Sequence, residues 1–247
     1  MSTRLKNDAR FTSGGAQLSF DFNGKKLKGV EGDTLASALL ANDQMMVGRS
    51  FKYHRPRGIV ASGGEEPNAL FNMGGTDDFE PNQRATVTEL FDGLKIASQN
   101  HWPSLEYDIG AINKHLSRFL PAGFYYKMFI HPRPLWKHVY EPFIRQSAGL
   151  GKAPRAEDRD PDTYEHFYFF ADVVVVGGGI AGLQAAKAAA LTGVRVLLCE
   201  QTAHWGGRAP VDGGEVDGQP VDNYVDALVA ELSAMDNVTM RTRMMGA

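Results

Sequence analysis

One stretch limits what this chain can fold into more than any other: Ala171–Arg208, ADVVVVGGGIAGLQAAKAAALTGVRVLLCEQTAHWGGR. Val173–Val176 is an unbroken apolar run, the pattern of a strand buried on both faces of a parallel sheet. Gly177, Gly178 and Gly179 follow at once, and Gly182 completes the spacing Gly177-x-Gly179-x-x-Gly182. In a strand–turn–helix unit the first glycine permits the tight turn. The second lets backbone approach a pyrophosphate, and the third lets helix and strand pack closely. The alanine-rich segment Leu183–Leu191 has the helix propensity to supply a positive N-terminal end that favours phosphate. Gly193 stops that helix, and Val194–Cys199 reads as the second strand. Glu200 stands at its end, where a carboxylate accepts hydrogen bonds from ribose hydroxyls. No Arg or Lys directly follows Glu200, so a 2′-phosphate would meet repulsion, which favours NAD or FAD over NADP. Beyond it, Gln201 leads through a short loop to Gly206-Gly207-Arg208. A diglycine there lets the loop fold back over a cofactor, and an arginine can meet its phosphates. The expected cofactor-binding set is therefore Gly177, Gly178, Gly179, Ile180, Ala181, Gly182, Glu200, Gln201, Gly207 and Arg208.

A length of 247 residues allows one or two domains. A net charge of −3 without a basic tail gives no reason to expect nucleic acid. Cys199 is the only cysteine, which excludes an internal disulfide and a cysteine-built metal site, and its place in the second strand reads as buried and inert. The N-terminal MSTRLKNDAR has no apolar core after its charges, and no run approaches the length of a membrane span. A soluble, cytoplasmic chain without a membrane contact is expected.

The N-terminal part reads differently. Leu18, Phe20 and Phe22 alternate over Gln17–Phe22, Asn23-Gly24 is a strong hairpin signal, and Lys25–Val30 returns with Leu27 among lysines. Asp33 or Thr34 can cap a helix over Leu35–Ala41 with Leu35, Ala38 and Leu39 on one face. A hairpin followed by a helix is the opening of a β-grasp domain, assigned to residues 1–100. Within it, Gly48–Gly58, GRSFKYHRPRG, is a basic, aromatic loop suited to a partner domain or an acidic cofactor. Ile59–Asn72 reads as extended, and Val87–Leu94 as a strand or a short helix. Residues 101–163 form a connecting segment rich in aromatics and prolines, among them Phe124, Tyr125, Tyr126, Phe129 and Trp136, read as packing surface. Its charged end, Gly149–Thr163, is the best linker. His131 and His138 lie seven apart, but Pro132 and Pro134 interrupt the helical geometry a metal site would need. Residues 164–247 make the last domain, with a turn-rich hairpin at Asp212–Pro220, an amphipathic helix at Val221–Met235 and a third strand at Val238–Arg243. A complete doubly wound domain needs more strands, so the chain reads as an N-terminal fragment.

The run EGDTLASALLAND…GRSFKYHRPRG, with GGGIAG…E…GGR after it, resembles the large (α) subunits of heterotetrameric sarcosine oxidases. The resemblance implies a ferredoxin-like β-grasp domain followed by the first part of a Rossmann-like dinucleotide-binding domain, an α/β and α+β chain. Related small domains in opine and amine dehydrogenases and in cyanide synthase carry cysteines after the HRPRG stretch that hold a [2Fe–2S] cluster. This sequence has Ala61, Glu66 and Ala69 there and no cysteine, so no Fe–S cluster is expected. The resemblance further implies NAD in this chain, at Gly177, Gly179, Gly182, Glu200 and Arg208, with FAD as the alternative. The complete complex would contain FAD and FMN, with β, γ and δ subunits as partners. Its reaction would be oxidative demethylation of sarcosine by oxygen to glycine, giving hydrogen peroxide and, with tetrahydrofolate, 5,10-methylenetetrahydrofolate. No residue here is a candidate for the amine oxidation itself. Two other readings remain: an FAD-binding subunit of an amine or opine dehydrogenase or cyanide synthase, and a non-catalytic scaffold with a vestigial nucleotide fold.

Overall fold

Alternating phenylalanines and a two-residue turn start the N-terminal fold. β1 (Gln17–Phe22) and β2 (Lys25–Val30) pair antiparallel, with Phe22 opposite Lys25. Asn23 and Gly24 close the loop with φ of 52° and 83°, the left-handed pair that a tight hairpin twist demands. Phe20, Phe22 and Leu27 turn inward. The Thr34 hydroxyl accepts from the Ser37 N–H and caps α1 (Leu35–Ala41), which buries Leu35, Ala38 and Leu39. Asp33 takes a second role: its buried carboxylate accepts from the Val30 N–H and the Ser37 hydroxyl and pairs with Arg4.

In this computed structural model residues 3–4, 10–75, 79–119, 123, 131–147, 166 and 168–246 are described. The chain divides into two compact units, Met1–Asp162 and Thr163–Ala247. In the first, the short ladder β3 (Gly48–Arg49) and β4 (Pro56–Arg57) forms the base of the basic hairpin. β5 (Leu70–Met73), β6 (Glu80–Arg84) and β7 (Lys95–Ser98) join the first hairpin in a five-stranded sheet of order β2-β1-β7-β5-β6. Only the central β1–β7 pairing is parallel. α1 covers one face, and Phe20, Phe22, Leu35, Leu39, Phe71, Leu90, Leu94 and Ile96 fill the space between. This is the expected β-grasp arrangement. Val87–Leu94 is neither strand nor helix; it runs as turns that drop Leu90 and Leu94 into the core. Phe124–Phe129 and the linker Gly149–Thr163 lie outside the described residues.

The second unit contains β8 (Val173–Val176), β9 (Val196–Cys199) and β12 (Val238–Arg241), all parallel, in the order β12-β9-β8. α2 (Ile180–Ala190) joins β8 to β9. The hairpin β10 (Glu215–Val216) and β11 (Gln219–Pro220) precedes α3 (Val221–Ser233), which leads into β12. Leu183, Ala186, Val196, Leu198, Val225, Leu228 and Leu232 pack together between the helices and the sheet, with Val173 and Val175 against them. Strand order 3-2-1 with helical crossovers is the first half of a Rossmann-like domain. Val174 and Val176 are exposed. The expectation of a strand buried on both faces therefore fails, because α2 and α3 cover only the side to which Val173 and Val175 point.

Candidate functional site

The glycine turn owes its shape to sterics. Gly177 has φ +103°, and its N–H bonds the Cys199 carbonyl at 2.8 Å, tying the turn to β9. A Cβ on Gly182 would overlap the Gly177 carbonyl oxygen, so only glycine lets α2 start this close to β8. Gly179 is the N-cap of α2, with φ −69° and ψ 175°, and no side chain caps the helix. Its first-turn amides are thus available to an anion at the positive end of the helix. A Cβ on Gly179 would meet nothing within 4 Å. The space above it is open at the point where a pyrophosphate would approach.

Glu200 is 6% exposed and held from three directions. One carboxylate oxygen, Oε2, accepts from the Gly178 N–H at 2.6 Å. The other, Oε1, accepts from the Thr202 N–H at 2.8 Å and the Thr202 hydroxyl at 2.9 Å. A carboxylate offers about four acceptor positions, so capacity remains for a ribose hydroxyl. Glu200 thus braces the glycine turn and ties it to the end of β9.

The second loop lies on the first. The Gly206 N–H donates to the Gly178 carbonyl at 2.8 Å, and Gly206 pairs with Gly179 in an isolated parallel bridge. A Cβ on Gly207 would come within 3.2 Å of the Gly179 Cα, and one on Gly178 would overlap the Trp205 ring. Gly178, Gly179, Gly206 and Gly207 form the contact between the two loops, and a side chain on Gly178 or Gly207 would hold them apart.

Of the expected residues, the fold brings together Gly177, Gly178, Gly179, Gly182, Glu200 and Gly207, with the backbone of Ile180 and Ala181 at the helix start. The Ile180 side chain packs into the core instead. Gln201 is exposed in the bend after Glu200. The Arg208 guanidinium pairs with Asp212 at 2.8 Å on the surface, and that bond, aided by the charge, holds the Asp212 carboxyl below the usual range. Reading the sequence missed Thr202, for which a hydroxyl two residues after the strand-end acid was the available signal; it had Gly206 in the diglycine and Trp205 as a cofactor contact or loop packing, and the structure places the Trp205 ring against Gly178. Cys199 is buried, and burial pushes its thiol up.

In the first unit the loop between β4 and β5 has a polar centre of its own. Glu66 is 1% exposed, yet four backbone N–H groups point at it: Val60 and Ala61 to Oε2 at 2.8 and 2.7 Å, Asn68 and Ala69 to Oε1 at 2.7 and 3.1 Å. Burial alone would raise this carboxyl; the four donors outweigh it and hold it below its ordinary 4.5. Among the described residues no three His, Cys, Asp or Glu side chains group as metal ligands, and no helix is long and apolar enough to cross a membrane.

These two units define a class: a ferredoxin-like domain joined to a dinucleotide-binding domain of oxidoreductase type. Residues 15–101 match the profile of a 2Fe-2S iron-sulfur cluster binding domain, and residues 172–243 that of an FAD dependent oxidoreductase. The chain is 51% identical over 226 residues to the sarcosine oxidase subunit alpha of Rhizobium meliloti (strain 1021). It is 32% identical over 235 residues to the same subunit of Corynebacterium sp. (strain P-1). These alignments cover 92% and 94% of this chain but 23% and 19% of those relatives. The chain is thus a homologue of sarcosine oxidase alpha subunits, fits an N-terminal portion of one, and spans under a quarter of their length. Among solved structures, L-proline dehydrogenase from P. horikoshii shares the fold, with TM-score 0.54 and 20% identity over 98% of this chain and 36% of that one.

The comparisons correct one cofactor expectation and bear on a second. The chain was expected to carry no Fe–S cluster, and the match over residues 15–101 overturns that: the N-terminal domain is of the cluster-binding kind. The cysteine pattern alone hid this, because the fold and its loop pattern persist without it. Residues 15–101 nevertheless include no cysteine, and a thiolate-held cluster needs several, so the donors present in this stretch do not fit one. NAD was placed ahead of FAD, whereas the match over residues 172–243 is to an FAD dependent family.

Proposed function

We propose that this chain supplies the adenine-dinucleotide site of an oxidoreductase subunit of the sarcosine oxidase type, with FAD as the nucleotide. The observation that carries the reading is the open backbone at Gly179, with the uncapped N-terminus of α2 beside it and Glu200 braced against Gly178. The chain's residues act by binding and orientation. The amides at the start of α2 receive the pyrophosphate, and Glu200 accepts from the adenosine ribose while holding the turn that receives the phosphates. Trp205 packs at Gly178, and Gly206 and Gly207 lie against Gly178 and Gly179 while the Cβ side of Gly179 stays open. When bound, FAD supplies hydride-accepting chemistry from its isoalloxazine ring.

The relatives' names support sarcosine as the substrate; the full reaction in this reading is oxidative demethylation to glycine, with peroxide from oxygen and methylene transfer to tetrahydrofolate. The assembly would be a cytoplasmic heterotetramer of α with β, γ and δ subunits, containing FAD and FMN. The test is to denature the protein purified with its partners and to identify the released nucleotides by absorbance and mass, alongside sarcosine-dependent peroxide formation. FAD assigned to this chain by loss in a Gly179 variant supports the reading. NAD lost in its place would keep the site and change its cofactor. Release of no adenine dinucleotide would refute it in favour of a scaffold.

A further inference from the structure

The basic motif GRSFKYHRPRG is not used by the nucleotide site. Its base is built rigidly. The Arg49 Nε donates to the Leu105 carbonyl at 2.7 Å, Nη1 to the His54 carbonyl at 2.9 Å and Nη2 to the Glu106 carbonyl at 3.0 Å. Asp108, whose side chain is fully buried, meets His54 Nδ1 at 2.7 Å and lies 3.6 Å from Arg49 Nε. Its Oδ1 accepts from the Trp102 and Gly110 N–H groups at 3.0 and 3.1 Å. A side chain on Gly110 would overlap the His54 ring. The hairpin and the segment from Trp102 to Gly110 are therefore locked into one surface. His54 holds φ +51° at the bend, a conformation that non-glycine residues rarely adopt and that this anchoring maintains.

The exposed side of that surface has an unusual composition. Lys52 and Arg55 lie over the Tyr53 ring at 4.8 and 4.9 Å. Arg55 and Arg57 are exposed, and no acid occurs between Gly48 and Gly58 in a chain of net charge −3. Beside them Trp102, Tyr107 and Ile109 are 68%, 82% and 60% exposed. Trp, Tyr and Arg on a preorganised support are the residues that concentrate binding energy at protein interfaces. The backbone N–H groups of the hairpin are used internally: Ser50 to Arg55, His54 to Ser50, and Arg55 to the Ser50 hydroxyl. Those three amides are not available to a phosphate, and the exposed aromatic ledge favours a protein over a small anion.

We infer that the Tyr53–Arg55–Arg57 tip and the Trp102–Tyr107–Ile109 ledge form one docking surface, whose occupant is another subunit presenting Asp and Glu around an apolar centre. Charge complementarity selects the partner, and the aromatic ledge supplies the buried area. This rests on the reading of the chain as a subunit of a larger assembly.

The test uses the complete protein co-expressed with its partner subunits, with p-benzoylphenylalanine at position 107 and, separately, the double variant Arg55→Glu/Arg57→Glu. The expected photo-cross-link joins residue 107 to a different polypeptide, at a surface bearing Asp or Glu. The double variant should weaken assembly at least tenfold, more so at low salt, whereas Lys25→Glu/Lys26→Glu on β2 leaves assembly unchanged. Replacing a mapped partner acid by Lys should restore assembly to the Arg55→Glu/Arg57→Glu chain. Cross-links to a second copy, to another part of the same polypeptide or to nothing overturn the inference, as does unchanged assembly of a folded double variant. Nucleotide content is read in parallel: retained nucleotide with lost assembly separates failure of this surface from failure of the nucleotide site.

Discussion

Replacing Gly179 by Ala is the sharpest perturbation of the site, because the structure separates its effect on folding from its effect on binding. At φ −69° and ψ 175° alanine fits the backbone, and its Cβ meets nothing within 4 Å. At an N-cap, alanine is worse than glycine by about 0.5–1 kcal/mol. Lower entropy of the unfolded chain offsets this by about 0.4–1 kcal/mol. The folded chain should therefore change by less than about 0.5 kcal/mol, from the difference of those two figures. A bound pyrophosphate would meet the new methyl group where it now has open backbone. Loss of one charge-assisted hydrogen bond costs about 1.5–3 kcal/mol, or roughly a 10- to 150-fold rise in Kd. Gly182→Ala is the contrast: its Cβ overlaps the Gly177 carbonyl, and α2 must shift away from β8 at about 1–3 kcal/mol. The assay pairs thermal unfolding with nucleotide content and titration on the protein assembled with its partners. Unaltered unfolding with lost nucleotide in Gly179→Ala, and loss of both in Gly182→Ala, is the expected outcome. Nucleotide affinity within twofold of the parent in a normally folded Gly179→Ala chain would refute the reasoning.

Glu200→Gln turns an acceptor of three protein hydrogen bonds into a group that also presents donors to Gly178 and Thr202; it should raise the nucleotide Kd at least tenfold and lower stability by about 1–3 kcal/mol, read by titration and denaturant unfolding. Glu66→Ala leaves four converging backbone N–H groups without their carboxylate and should destabilise the first unit by about 3 kcal/mol or more, seen as loss of hydrogen-exchange protection at residues 60–69. Because the folded Glu66 carboxyl lies below 4.5, its contribution is fully present above pH 4.5 and is lost as pH falls through the lowered value; Glu66→Gln should flatten that acid limb in urea midpoints measured against pH. Leu183→Ala empties a fully buried site between α2 and the sheet and should cost about 2–5 kcal/mol in chemical denaturation.

Legibility in the sequence followed the range of the interaction. Asn23-Gly24, Thr34 and the glycine turn were readable because each acts on residues within a few positions, and their dihedrals and caps are local requirements. α3 was readable from the apolar stripe Tyr224, Leu228 and Leu232; the helix buries Leu228 and Leu232, with Val225 rather than the half-buried Tyr224 beside them. β6, EPNQR, showed no apolar alternation because it is the edge strand, and Val87–Leu94 resembled an element only because its turns carry two core leucines. The Arg49–Asp108–His54 node joins residues more than fifty apart, and the four amides around Glu66 are backbone groups; neither leaves a mark in residue spacing. Glu200 was readable as an acid at the end of β9, but its bond to Gly178 depends on how β9 sits beside β8.

The central claim is that the amides at the start of α2 and the Glu200 carboxylate receive an adenine dinucleotide. An experimental structure of the protein purified with its partners and its native nucleotide tests this most directly. The account predicts density for a pyrophosphate within hydrogen-bond distance of the backbone at residues 179–181, and for a ribose hydroxyl on Glu200. Nucleotide density elsewhere, with these amides facing solvent, would contradict it.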